Sequence, residues 1–280
     1  MPNSILFIIA SLIWGSTFWA ITQQLGSVPP VVSVVYRFSL AALCLFIWCA
    51  VRGERVRFSW RAQGWLALQG FFTFALSYVC TYSSEQYLVS ALVSVLFALM
   101  VIWSPLLEHM FYARPLNWRI WCAAAVAITG VVLLFSPVLR EQFFSDHPTQ
   151  DKNFVLGLVL ALIATLASTM GNIVLLQVRK HESSVLASMA WAMTWGSVWV
   201  ACYAILMGES WVLPSSSSYW LSLVYLSVFG SVIAFACYFT LIHRIGAQKT
   251  VFIGVVTPVI SVLLSMRLED YRPGGVEMMG

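Results

Sequence analysis

Residues 4–24 read SILFIIASLIWGSTFWAITQQ, 21 positions without a single charge. An α-helix rises about 1.5 Å per residue, so a run of about 20 apolar residues is what crosses a hydrocarbon layer roughly 30 Å thick. Working outward, further runs of this kind stand at 29–51, 64–83, 88–112, 117–136, 154–178, 184–207, 219–240 and 247–268. A tenth opens at Pro273 and is cut off at Gly280. The first run reads as a retained span and not a cleaved leader, because it lacks a basic start and a small-residue cleavage site and carries Trp14 and Trp19. Composition agrees with the runs. Of 280 residues 60% are apolar and 9% charged, and the mean hydropathy is +0.86. A soluble domain carries about a quarter charged residues, which excludes a cytosolic enzyme, a nucleic-acid module and a disordered chain. The chain reads as an all-α membrane protein.

Lys and Arg favour the cytoplasmic side of a membrane. With the N-terminus inside, ten of them (Arg52, Arg55, Arg57, Arg61, Arg114, Arg119, Arg179, Lys180, Arg244 and Lys249) face the cytoplasm. Four (Arg140, Lys152, Arg267 and Arg272) face the other side, and Arg37 lies inside the second span. The expectation is a multi-pass inner-membrane protein with a cytoplasmic N-terminus. The cysteines (Cys44, Cys49, Cys80, Cys122, Cys202 and Cys237) all fall in apolar stretches without a CxxC pair, so they read as small span residues and not as disulfides or metal ligands.

The one long loop, 137–153, follows the fifth run, and the two sides of it share ordered signals. Trp65-Leu66-Ala67-Leu68 opens the third run and Trp220-Leu221-Ser222-Leu223 the eighth. Arg114-Pro115 precedes the fifth and Arg272-Pro273 the tenth. These pairs predict a first unit at 1–136, an extracytoplasmic linker at 137–153, and a second unit at 154–280 holding helices six to nine and the start of ten. Two copies of a five-helix unit enter the membrane from opposite sides because five is odd. The predicted architecture is a ten-helix inverted repeat, a scaffold that places a transport site near the midplane between the halves.

Several segments resemble one known family. They are Leu12-Ile13-Trp14-Gly15-Ser16-Thr17-Phe18, Tyr36-Arg37-Phe38-Ser39-Leu40-Ala41-Ala42, the stretch 123–134, and Val256-Thr257-Pro258-Val259. Together they are similar to the EamA-type carriers of the drug/metabolite transporter superfamily, over nearly the whole chain. The resemblance implies ten helices, export or exchange of small metabolites such as amino acids, and a cavity among the first, third, fourth, sixth, eighth and ninth helices. Two departures stand out: Ala113-Arg114 and Glu269-Asp270 occupy the places of the family's Gly-Glu, and Val101 that of its fourth-span proline.

Polar groups in a bilayer turn towards protein or water, so polar columns mark candidate cavity faces. Gln69, Tyr78 and Tyr82 belong to the third run, Ser94 to the fourth, Asn172 to the sixth, and Tyr225 and Tyr238 to the eighth. With Trp14 and Arg37 they form the candidate substrate-binding set. Ser, Thr, Gly and Ala columns also serve as packing seams, and the columns alone leave both readings open. For Arg37, snorkelling to the interface, pairing with Glu85, and bidentate contact with a substrate carboxylate are all open. Pro258 is the candidate hinge, since proline removes a helix hydrogen bond; a static kink is the alternative.

No span carries an Asp, and no Glu lies near a midplane, which leans away from simple proton antiport. An intramembrane enzyme would need H-E-x-x-H or a buried Asp pair, a pump a phosphate loop, and a channel or sensor a ring of like residues or an added domain. None stands in the sequence. The expected partners are a small-molecule substrate and the bilayer, with no cofactor, no metal and no nucleic acid. The expected cargo is an amino acid or related metabolite, with an aromatic or drug-like compound as the alternative.

Overall fold

An unpaired backbone N–H or C=O costs several kcal/mol in lipid, so each apolar run must close its own hydrogen bonds as a helix. The structure is a computed structural model and describes residues 1–116, 118, 121–122, 124–126, 128–133, 152–180 and 184–269. Among these residues there is no strand. The helices are α1 (Asn3–Thr22), α2 (Pro30–Arg52), α3 (60–84), α4 (Ser90–Tyr112), α5 (Ala124–Leu133), α6 (Lys152–Val178), α7 (Val185–Leu206), α8 (Ser217–Ile245) and α9 (Ala247–Leu268). Seven of them, α1, α2, α4 and α6 to α9, are long and apolar enough to cross a membrane. The continuous rod α3 is of similar length and more polar. Of the linker expected at 137–153, the last two positions open α6 and the rest lies outside the described residues; so does the start of a tenth span at Pro273.

Local signals set the ends. Ser59 Oγ accepts from the Ala62 amide and Ser184 Oγ from the Ala187 amide, capping α3 and α7. Gly53 stops α2 in the left-handed region at φ 66°, where glycine has no side chain to clash. Ala113 stops α4 in the same region at φ 50° without that freedom.

The helices are not uniform, and the irregularities come in pairs. A π segment interrupts α3 at Gly70–Leu76 and another interrupts α8 at Leu226–Ile233. A 3-10 turn breaks α4 at Phe97–Leu99, and a turn breaks α9 at 251–252. Pro105 lies inside α4 and Pro258 inside α9. Each proline leaves a carbonyl one turn earlier, that of Val101 or Gly254, without its helical donor.

Packing closes these rods into a ring. α1 lies against α8 and α9, α9 against α4, α4 against α6, and α6 against α3; Phe74 and Tyr78 of α3 meet Phe235 of α8 with ring centres 5.0 and 6.3 Å apart. α2 packs outside the ring on α7 and α8. Several close approaches need glycine. A Cβ on Gly15 would stand 2.5 Å from Ile260 Cβ, where α1 crosses α9. One on Gly70 would meet the Ala192 carbonyl of α7.

Candidate functional site

Inside the ring, six helices enclose a cavity of about 70 Å³. α1 contributes Trp14, Thr17, Phe18 and Ile21; α3 contributes Ser77, Tyr78 and Thr81; α4 contributes Phe97 and Met100. The second half supplies Ser168 and Asn172 from α6, Phe235 and Tyr238 from α8, and Val251, Gly254 and Thr257 from α9. At about 30 Å³ per water in the liquid, the space has room for about two waters. A larger cargo therefore requires the ring to widen.

Six aromatic side chains dominate the wall, and several of its polar atoms are held. Trp14 lies across the cavity from α1 to α8: its Nε1 donates to the Gly230 carbonyl at 3.1 Å, inside the π segment. Its ring meets Phe235 edge-on at 5.0 Å and Tyr238 at 4.9 Å. Asn172 Nδ2 donates to the Tyr238 hydroxyl at 2.8 Å, tying α6 to α8. The Thr257 hydroxyl is buried with no partner, one turn from the carbonyl of Gly254 that Pro258 leaves free. A pocket with apolar walls and a few placed polar atoms is the usual form of a small-molecule site.

Behind Tyr78 lies the one charge of the second span. Arg37 is fully buried, so it does not snorkel. Its Nε donates to Ser231 Oγ at 3.0 Å and its Nη1 to the Tyr82 hydroxyl at 3.4 Å. The guanidinium lies 4.7 Å from the Tyr78 ring centre and 5.4 Å from that of Phe38, close enough for cation–π attraction. Ser231 donates onward to the Leu226 carbonyl at 2.9 Å, so the π segment of α8 provides the seat for the guanidinium. Nη2 has no partner. Arg37 and Glu85 do not form an ion pair; Glu108 and Arg114 do, at the opposite end of α4.

The EamA-like transporter family matches the chain over residues 1–136 and 155–280. The chain belongs to that family. As an EamA-like protein it is a membrane transporter and not an enzyme. "Uncharacterized inner membrane transporter YedA" of Escherichia coli (strain K12) is 24% identical over 269 residues, 96% of this chain and 83% of that protein. "Protein PagO" of Salmonella typhimurium is 24% identical over 277 residues, 97% of this chain and 85% of that protein. "Probable amino-acid metabolite efflux pump" of Escherichia coli (strain K12) is 21% identical over 295 residues, 99% of this chain and 90% of that protein. A solved crystal structure superposes with a TM-score of 0.71 at 19% identity, covering 99% of this chain and 91% of that one, and shares the fold.

Against the EamA-like expectations, the cavity lies among the six helices that the resemblance implied. Of the candidate residues, Trp14, Tyr78, Asn172 and Tyr238 line it together. Arg37 and Tyr82 stand one layer behind, bonded to each other. Three candidates are elsewhere. Gln69 is buried with its amide unpartnered, off the cavity wall. Ser94 donates to the Ala91 carbonyl of its own helix at 2.7 Å. Tyr225 lies 2.6 Å from Ser16 Oγ and stacks on Phe229. For Ser94 the packing-seam reading fits the observed bond. Phe18, Phe97, Met100 and Phe235 are wall residues that polar columns cannot reveal. Only Phe18 had a signal, helical spacing from Trp14, since Trp14, Thr17, Phe18 and Ile21 form one face at i, i+3, i+4 and i+7; Phe97, Met100 and Phe235 lie on other helices.

Proposed function

We propose that this transporter exports or exchanges small amphipathic metabolites, amino acids first, by alternating access in the inner membrane. In this reading the chain is a ten-helix inverted repeat, with units at 1–136 and 154–280 and a cytoplasmic N-terminus. The carrying observation is the cavity itself: aromatic walls from both halves, narrow, with isolated polar groups at Asn172, Thr257 and, behind Tyr78, Arg37. An apolar side chain fits among Trp14, Phe18, Phe97 and Phe235. A carboxylate would be held by the free Nη2 of Arg37 once Tyr78 swings aside, through a charge-assisted hydrogen bond.

The repeat is supported by the paired irregularities. The π segments start at 70 and 226, 156 positions apart, and the turns in α4 and α9 start at 97 and 251, 154 apart. The internal prolines at 105 and 258 are 153 apart. Related offsets for three different backbone features are what duplication of one unit leaves behind. The relatives whose names include inner membrane transport and amino-acid metabolite efflux support the location and the cargo class. Pro258 is the proposed hinge, because the freed Gly254 carbonyl lies on the cavity wall where widening must begin.

A second cargo reading, aromatic or drug-like compounds, is favoured by the aromatic wall alone. The two diverge at Arg37, which only a carboxylate-bearing cargo uses. The test is uptake of labelled amino acids into vesicles carrying the purified protein. The expected result is uptake of apolar or aromatic amino acids that Trp14→Ala reduces by an order of magnitude or more. Uptake of uncharged aromatic compounds with none of amino acids would favour the second reading, and no uptake of either class would sink both.

A further inference from the structure

Glu85 stands in the 85–89 connection just beyond α3, is 5% exposed, and neither carboxylate oxygen has a hydrogen-bond partner. Three residues earlier, on the same face, the buried Tyr82 hydroxyl donates to Gln24 Oε1 at 3.1 Å and accepts from Arg37. From the second half, Glu269 at the end of α9 accepts from Ser90 Oγ at 2.6 Å, and Ser90 Oγ lies 3.0 Å from Ser265 Oγ. The charged and titratable groups acting on Glu85 are therefore Glu269 at the end of α9 and Arg37 of α2, with Tyr82 beside it on α3. Glu85 is thus buried within the influence of a second carboxylate and of a guanidinium, and no ion pair joins it to Arg37. An ionised, unsolvated carboxylate is strongly unfavourable in such a place. Burial first, and the Glu269 carboxylate second, hold the Glu85 carboxyl well above the usual carboxylate range, against the opposite pull of Arg37.

We propose that Glu85 is a proton-binding site in the transport cycle: it carries a proton while this end of the bundle is closed, and releases it to water when the end opens. In the release step the carboxyl O–H bond breaks and its electron pair stays on the oxygen. The proton leaves to the aqueous phase, and the new carboxylate is solvated by the water that enters as the end opens. The sign follows from the raised value in the closed form. Closure is fully favoured at pH below the open-form carboxyl value, and that preference is lost as pH rises through the higher closed-form value. In the orientation proposed above, this is the outer end, so acid outside closes it and alkali opens it. The inference rests on the carrier reading for its two forms, whereas the proton on Glu85 is independent of cargo.

Two measurements on the reconstituted protein test it. First, infrared difference spectra compare the native chain with Glu85→Gln at neutral pH. The expected difference is loss of a carboxylic-acid carbonyl band, which in the native protein converts to carboxylate as pH rises. Loss of an ionised carboxylate band at neutral pH overturns the proposal. Second, Ser168, on the cavity wall, is replaced by cysteine in a background without the six native cysteines, and an impermeant thiol reagent is applied from the outer side. The thiol's own titration cancels in the ratio between the native Glu85 and the Glu85→Gln backgrounds. Labelling with Glu85 in place should rise severalfold, relative to the Glu85→Gln background, from mildly acidic to mildly alkaline buffer. A flat ratio overturns the coupling to access, even with the protonated band present. Failure of the cargo assay leaves the infrared outcome untouched, so the two readings fail separately.

Discussion

At the scale of single residues, Arg37 concentrates the most interactions that one substitution can remove. Its fork reaches Ser231 through Nε and Tyr82 through Nη1, over the face of Tyr78. Leucine would take the donor from the buried Ser231 and Tyr82 hydroxyls, which keep their own bonds to the Leu226 carbonyl and Gln24, at about 1 kcal/mol for each bond lost. Arg37→Leu is therefore expected to lower folded yield as well as transport. Lysine keeps the charge but cannot serve two directions with a planar fork. Arg37→Lys should fold, and should weaken a carboxylate cargo by roughly tenfold, the worth of one charge-assisted bond at about 1.5 kcal/mol. Unchanged affinity in that variant, read from competition in the vesicle assay, would rule out carboxylate binding there. Ala113 offers a test of opposite sign. It holds φ 50° where the resemblance places a glycine, and left-handed backbone costs a non-glycine residue roughly 1–2 kcal/mol. Ala113→Gly should stabilise the protein by about 1 kcal/mol, less the greater chain entropy of glycine when unfolded, visible as a higher thermal midpoint in detergent. Of the two, Arg37 was readable from the sequence, as a lone charge in a span. Its second layer behind Tyr78 was not, because which neighbour covers a guanidinium depends on helix rotation, which polar columns leave open.

At the scale of helices, the contact between α1 and α9 sets how far the cavity can close. Gly15 lies against Ile260 and within 3.2 Å of the Thr257 carbonyl, measured from where its Cβ would stand. Gly15→Ala must push α9 outward or force Ile260 off its rotamer, at about 1–3 kcal/mol. The expected outcome is a lower thermal midpoint, restored in large part by Ile260→Ala in the double variant; additive losses would mean that the two side chains do not meet. Pro258→Ala acts on the same helix without crowding. It returns an N–H to the Gly254 carbonyl and should straighten α9. Transport should slow while folded yield is kept or raised, and an unchanged rate would remove Pro258 from the list of hinges. How much of this was legible differs by feature. Span positions were, because length and apolarity alone decide where a chain can cross lipid. The π segments were not: nothing in the composition of 70–76 or 226–233 distinguishes them from ordinary helix. They are set by tertiary fit, with Gly70 pressed on α7 and Ser231 turned to receive Arg37. The cavity helices were legible through the resemblance, whereas the aromatic wall was hidden among the Phe and Trp residues that any span contains.

At the scale of the whole molecule, the question is whether the two units enter the membrane from opposite sides. Their connections give the cleanest handle. Arg55, in the connection from α2 to α3, and Ser210, in that from α7 to α8, are both exposed and are 155 positions apart. That is the same offset that separates the Trp-Leu pairs at 65 and 220. If the units were parallel copies, these two sites would face the same compartment. If they are inverted copies, the sites face opposite compartments. The charge pattern adds a direction: Arg52, Arg55, Arg57 and Arg61 crowd the first connection, whereas Glu209 is the only charge between Lys180 and His243 outside 181–183. Basic clusters stay on the cytoplasmic side. Arg55→Cys and Ser210→Cys, each alone in a cysteine-free background, should therefore separate in intact cells treated with an impermeant thiol reagent. Position 210 should label at once, and position 55 only after the membrane is permeabilised. The reverse pattern would keep the inversion and turn the molecule over, moving Glu85 and its proton to the cytoplasmic end. Labelling of both sites from the same side would end the inverted-repeat reading, because an odd number of crossings between equivalent points admits no other outcome.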